Sequence, residues 1–193
     1  MQIRLIRHGL TLPGEQKKYQ GSLDAPLSER GREQLRQAEE MPEQIIVTPL
    51  VRTQETAEIL FPGVRQVIVE DLREMDFGVF EGRSWQEMEM ETAYREWVRG
   101  NCEGRCPGGE DKPTYTKRVC RAFAALVDEA AAEQKEELVI VAHGGTQMAV
   151  LERWGDSGKA YYEWQTPCGK GWLLDTGAWP ESLTVLDGID YTI

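Results

Sequence analysis

Histidine is scarce in this chain, with two among 193 residues, and cysteine is nearly so, with four. No apolar run approaches the length of about 18 residues that a membrane-spanning helix needs. Positive charge is outnumbered: 22 Lys and Arg stand against 33 Asp and Glu, a net charge of −11. That balance argues against generic nucleic-acid or anionic-membrane partners, which need a basic surface. Any anionic ligand must therefore find its positive charge concentrated in a pocket. Met1 to Ile6 reads as a strand, with no charged start and apolar signal core, so a cytoplasmic location is expected. Several familiar signatures are missing as well. There is no Gly-x-x-x-x-Gly-Lys loop, no Gly-x-Ser-x-Gly elbow, no His-Glu-x-x-His and no dinucleotide fingerprint. Cys102-x3-Cys106 with Cys120 and Cys168 has no neighbouring histidine, so reduced thiols are expected rather than a zinc site, and no metal or cofactor is expected.

What remains is an ordinary globular composition, 40% apolar and 28% charged, at a length that predicts one domain over residues 1–193. Strands are predicted at 2–6, 44–48, 64–69 and 137–142, with strand-like pieces at 171–174 and 183–186. Between them the sequence predicts a helix from Ser28 as N-cap to about Met41, and another from Pro49 to Leu60 with Thr48 as its cap. A further helix carries Trp85, Met88, Tyr94 and Trp97. The next starts at Thr114, with Tyr115, Val119, Phe123, Leu126 and Ala130 on one face, and the last covers Thr146 to Trp154. Residues 100–113 read as loop. Alternating strands and helices, with strands apolar throughout, predict an α/β fold with a mostly parallel sheet between helical layers. The six tryptophans read as packing residues.

The two histidines are the informative residues. His8 and His143 each follow an apolar strand and each precede glycine, and ligands of open α/β sheets bind at the carboxyl ends of strands. From this chain's composition an Arg-His-Gly triplet is expected only about 0.015 times by chance, treating positions as independent. Arginine offers a rigid fork of donors that suits phosphate oxygens. Neutral histidine is a nucleophile and proton carrier near neutrality. His143-Gly144-Gly145, leading into a helix, adds amides and a positive helix end that favour an anion. Together these point to a phosphoryl group.

Arg7-His8-Gly9-Leu10-Thr11 resembles the signature of the histidine phosphatase, or phosphoglycerate-mutase-like, superfamily. The resemblance extends through Gly21 to Gly31, Thr48 to Ala57, Leu72 to Gly82 and Val141 to Gly145, five motifs in order between residues 3 and 150. It implies a three-layer α/β/α sandwich, phosphoglycerate-mutase-like, with His8 as the nucleophile that becomes phosphohistidine. It implies that Arg7, Arg52 and His143 grip the phosphoryl oxygens and that Glu74 protonates the leaving oxygen, although Asp76 and Glu81 lie nearby. Gly144 belongs to the phosphate site by the same resemblance, and Thr11 either adds a hydroxyl contact or caps a local turn. Many members carry an asparagine six residues after the histidine; here that position is Gly14, where Gln20 or a water would have to substitute. The chain looks most like the short bacterial α-ribazole phosphatase type, in which Pro107-Gly108-Gly109-Glu110 would lie in the loop covering the site. The expected function is a phosphomonoesterase acting on a small phosphorylated metabolite, such as α-ribazole 5'-phosphate. The alternatives are a phosphoglycerate mutase and a non-catalytic phosphate-binding regulator.

Overall fold

The computed structural model describes residues 1–193. One six-stranded sheet organises it: β1 (Gln2–Arg7), β2 (Gln44–Val47), β3 (Arg65–Ile68), β4 (Glu137–Ala142), β5 (Lys170–Asp175) and β6 (Thr184–Asp190), in the order β3-β2-β4-β1-β5-β6. The first four in that order are parallel, while β5 and β6 run antiparallel along one edge. The mostly parallel α/β sandwich expected from the sequence is the fold observed.

Burial on both faces explains the apolar strands. Ile3, Leu5, Ile140 and Ala142 pack on one side, with Tyr115, Val119, Phe123 and Val127. Ile6, Val139 and Val141 face the other way, against Ala57, Leu60 and Phe61. Seven helices flank the sheet: α1 (Leu12–Glu15), α2 (Glu29–Glu33), α3 (Val51–Leu60), α4 (Trp85–Met88), α5 (Thr92–Arg99), α6 (Lys112–Ala132) and α7 (Gly144–Trp154).

Several boundaries depart from expectation, each for a physical reason. The helix from Ser28 stops at Glu33 because the C-terminal chain takes over the backbone: Leu35 bridges Thr192, Arg36 N–H donates to Tyr191 O, and Ile193 N–H donates to Gln34 O. Thr48 does not cap α3, whose N-cap is Leu50; its hydroxyl is used nearer the site. The helix expected around Trp85 to Trp97 is two, α4 with a Ser84–Glu87 capping box and α5 entered through Glu91. The next, α6, starts at Lys112, where Asp111 accepts the Thr114 N–H, and it buries Val127 where Leu126 was expected. Likewise α7 begins at Gly144, directly after His143.

Candidate active site

The parallel pairing of β1 with β4 puts Arg7 opposite Ala142, so the next residues, His8 and His143, emerge side by side. Their ring centroids are 5.3 Å apart at an interplanar angle of 64°. Both lie at the carboxyl edge of the sheet, as the strand-end rule predicts. Strand β2, on the far side of β4, ends just before Thr48, and the first turn of α3 brings in Arg52.

His8 is 8% exposed, and its Nδ1 lies 2.7 Å from the Gly9 carbonyl. A carbonyl only accepts, so Nδ1 carries the hydrogen and Nε2 keeps its lone pair. Burial, then the charges of Arg52 and Arg7, hold the His8 pKa well below its ordinary value. The imidazole is therefore neutral and nucleophilic. Burial, with Arg52, His8 and Arg7, likewise lowers His143. Its Nε2 is 3.0 Å from the hydroxyl of Thr48, which also accepts the Leu50 N–H.

Arg52 is fully buried, with Nη1 donating to Leu23 O at 2.9 Å and Nη2 to Gly21 O at 2.8 Å. The Gly21–Leu23 turn is in turn held by Glu81, whose carboxylate accepts the amides of Gly21, Ser22 and Leu23, and of Phe77. Glu81 thus positions Arg52 through a loop. Asp76 accepts the Gly78 N–H. Both rival acids are committed to structure, which leaves Glu74 facing the site. Glu74 Oε1 accepts from Tyr115 Oη at 2.7 Å and from Met75 N–H, and Oε2 accepts from Gly145 N–H at 3.1 Å.

Close approach demands glycine at 145 and favours it at 144. A Cβ on Gly145 would sit 2.2 Å from Glu74 Oε1, and one on Gly144 would sit 3.3 Å from the Arg7 guanidinium carbon. Thr11 turns out to be both a cap and an orienter: its Oγ1 accepts the Gly14 N–H and donates to Gln20 Oε1. Its proton is committed, so Thr11 acts on the cavity through Gln20. A Cβ at position 14 would lie 3.1 Å from the Thr11 hydroxyl, a tight contact that a shift of a few tenths of an ångström relieves.

A cavity of about 290 Å³ is lined by Arg7, His8, Gln20, Glu74 and Gly144, among others. Four buried polar atoms have no hydrogen-bond partner: Arg7 Nε and Gln20 Nε2 on this lining, and Arg52 Nε and His143 Nδ1 on fully buried residues outside it. Leaving such a group unsatisfied costs about 1–3 kcal/mol. Three of the four are obligate donors. An acceptor-rich anion beside His8 is the ligand that would relieve them. Lys18 sits on the same lining, so the local field is positive despite the net charge of −11.

The Pro107–Glu110 segment was expected over the site; it instead braces the acid-bearing loop from behind. Val79 N–H donates to Pro107 O, Glu110 N–H to Asp76 O, and Arg118 joins Glu110 to the carbonyls of Asp71 and Arg73. Cys106 is buried in the core and all four cysteines are unpaired; no three His, Cys, Asp or Glu side chains cluster to hold a metal ion. No helix is long and apolar enough to cross a membrane.

Known proteins resemble this arrangement. The sequence profile of the Histidine phosphatase superfamily (branch 1) matches residues 3–168. A Salmonella choleraesuis protein named "Probable phosphoglycerate mutase GpmB" is 33% identical over 153 residues, 75% of this chain and 70% of that protein. The crystal structure of a phosphoglycerate mutase from Thermus thermophilus aligns with a TM-score of 0.74 at 29% identity, covering 98% of each chain. That of the α-ribazole phosphatase from Shigella flexneri aligns with a TM-score of 0.80 at 24% identity, over 99% of this chain and 96% of that one, a likeness of fold.

Proposed function

The chain belongs to branch 1 of the histidine phosphatase superfamily, and from that premise we propose that it is a phosphomonoesterase, folded as one domain over residues 1–193, that works through a phosphohistidine on a small phosphorylated metabolite. In the first step His8 Nε2 attacks phosphorus and the bond to the leaving oxygen breaks. Glu74 gives that oxygen a proton, so an alcohol leaves and a carboxylate remains. In the second step a water attacks the phosphohistidine and gives a proton back to Glu74; inorganic phosphate leaves and His8 recovers its lone pair. Arg7, Arg52, His143 and Gln20 hold the three oxygens on which charge gathers, which is where most of the acceleration of phosphoryl transfer arises.

The observation that carries this reading is the set of unpartnered buried atoms around a neutral His8 with an oriented tautomer. A non-catalytic regulator on this fold would have no use for that tautomer or for the carboxyl held at Glu74. Among substrates, α-ribazole 5'-phosphate is the named candidate. The mutase reading is favoured by the names of relatives at 33% and 29% identity. Hydrolysis of p-nitrophenyl phosphate, run beside conversion of 3-phosphoglycerate to 2-phosphoglycerate, separates the three. Hydrolysis without interconversion is expected. Efficient interconversion would make the chain a mutase, and activity in neither assay would make it a binder.

A further inference from the structure

A second cavity, of about 280 Å³, opens off the first. Tyr19, Glu74, Phe77, Gly145, Met148 and Gln165 line both, so the carboxyl of Glu74 stands at the seam. A leaving oxygen protonated there directs the rest of its molecule into the second space. That space has an aromatic wall. Tyr19 meets Phe77 at 5.4 Å and Trp97 at 5.6 Å between centroids, and Tyr161 meets Tyr162 at 5.0 Å.

The polar ends of three of these rings are engaged elsewhere. The Tyr19 hydroxyl pairs with that of Tyr94 at 2.9 Å, Trp97 Nε1 donates to Gly104 O at 3.0 Å, and the Tyr162 hydroxyl donates to Asn101 O at 3.3 Å. What they offer a ligand is carbon. The one cation on this lining, Lys112, is already neutralised. Its ammonium lies 3.3 Å from Glu103, 3.6 Å from Glu152 and 4.2 Å from the Tyr161 ring centroid. Lys18 lines the first cavity and not the second. A carboxylate or second phosphate in the second cavity would meet the carboxyl of Glu74 and no free positive charge.

We infer that the second cavity holds the leaving group and selects phosphate esters whose alcohols carry a flat aromatic or heteroaromatic ring over esters of anionic alcohols. This rests on the phosphomonoesterase reading for its catalytic consequence, but the selection itself is a property of binding. Aromatic rings add edge-to-face attraction to the area they bury, whereas a charge moved there loses its water without compensation.

The test uses three primary alkyl phosphates, so that the intrinsic lability of the ester is similar: 2-(1-naphthyl)ethyl phosphate, glycerol 3-phosphate and 3-phosphoglycerate. The naphthyl ester should exceed the others in kcat/KM by roughly tenfold to a hundredfold, the range a hydrophobic pocket provides. Tyr162→Ser, at a half-exposed ring, should raise KM for the naphthyl ester severalfold and by more than it changes KM for glycerol 3-phosphate; an equal change for both would count against the selection. A parallel arm measures binding alone by calorimetry, comparing 2-(1-naphthyl)ethylphosphonate with 3-phosphonopropionate. Tighter binding of the naphthyl compound supports the selection even if no ester turns over, in which case only the catalytic reading fails. Equal binding, or preference for 3-phosphoglycerate or 3-phosphonopropionate, overturns it, while phosphatase activity on p-nitrophenyl phosphate would leave the catalytic reading standing.

Discussion

The two halves of the active cleft are built in opposite ways. The phosphoryl half stands on strand ends: Arg7 and His8 close β1, His143 follows β4, and Arg52 lies in the first turn of the helix after β2. Sheet register brings the two histidines and Arg7 together, the helix after β2 adds Arg52, and one donor of each arginine, Nε, is left unpartnered for a ligand. The leaving-group half is assembled from residues between Tyr19 and Gln165 on loops, short helices and the flank of α7, and its polar ends are mostly engaged. On the proposed function, the first half performs chemistry that any phosphate ester needs. The second decides which ester is offered.

That contrast predicts that damage to the phosphoryl half is blind to the substrate. His8→Ala should abolish turnover of every ester, and Arg52→Ala should slow all of them by roughly a hundredfold, the cost of losing one preorganised contact to developing charge. Arg52→Ala should also weaken inhibition by vanadate. Unchanged vanadate affinity would remove Arg52 from the phosphoryl site. Since Glu81 holds the amides of the Gly21–Leu23 turn whose carbonyls orient Arg52, Glu81→Gln should produce a weaker form of the same loss.

Glu74, at the seam, should behave differently. Glu74→Gln keeps the shape but removes the proton, so an alkyl phosphate should suffer far more than p-nitrophenyl phosphate, whose phenolate leaves without help. Single-turnover phosphorylation is the step to compare, because dephosphorylation of His8 is common to both. Equal losses would make Glu74 structural.

How much of this was legible in the sequence follows the same division. The β1 and β4 runs, each ending in His-Gly, announced the strands and the histidine pair, because register transmits a local pattern directly into space. Arg52 and Glu74 came through resemblance to a family. The helix from Ser28 ends early because, although residues 34–38 have helical propensity, backbone groups of residues 34–36 are claimed by a chain end more than 150 positions away. Such pairing leaves no local trace. Glu81 was one acid among several until its four amide donors were seen. Trp97 read as packing and proves to be both core and cavity wall. Non-local assembly of this kind is what makes specificity harder to read than chemistry.

The smallest expected effect is on stability. Both imidazoles are held neutral by burial and by the arginines, so their folded pKa values lie below the unfolded value of about 6.5. Below that pH the unfolded chain binds protons that the folded one does not, and stability must fall as pH drops through about 6.5. The melting temperature of the ligand-free protein should therefore decline between about pH 7.5 and 5.5, and His8→Asn should flatten part of that decline. A slope of opposite sign would mean that the histidines are charged in the fold. Inorganic phosphate, which supplies the missing acceptors, should offset the loss.

The central claim is that His8 carries the phosphoryl group. The direct measurement is to quench the wild-type enzyme in denaturant during turnover of a radiolabelled phosphate ester and map the protein-bound label. The label should be lost in acid, survive base, lie on the peptide containing His8 and vanish in His8→Ala. An acid-stable label, or turnover with no label on His8, would contradict it.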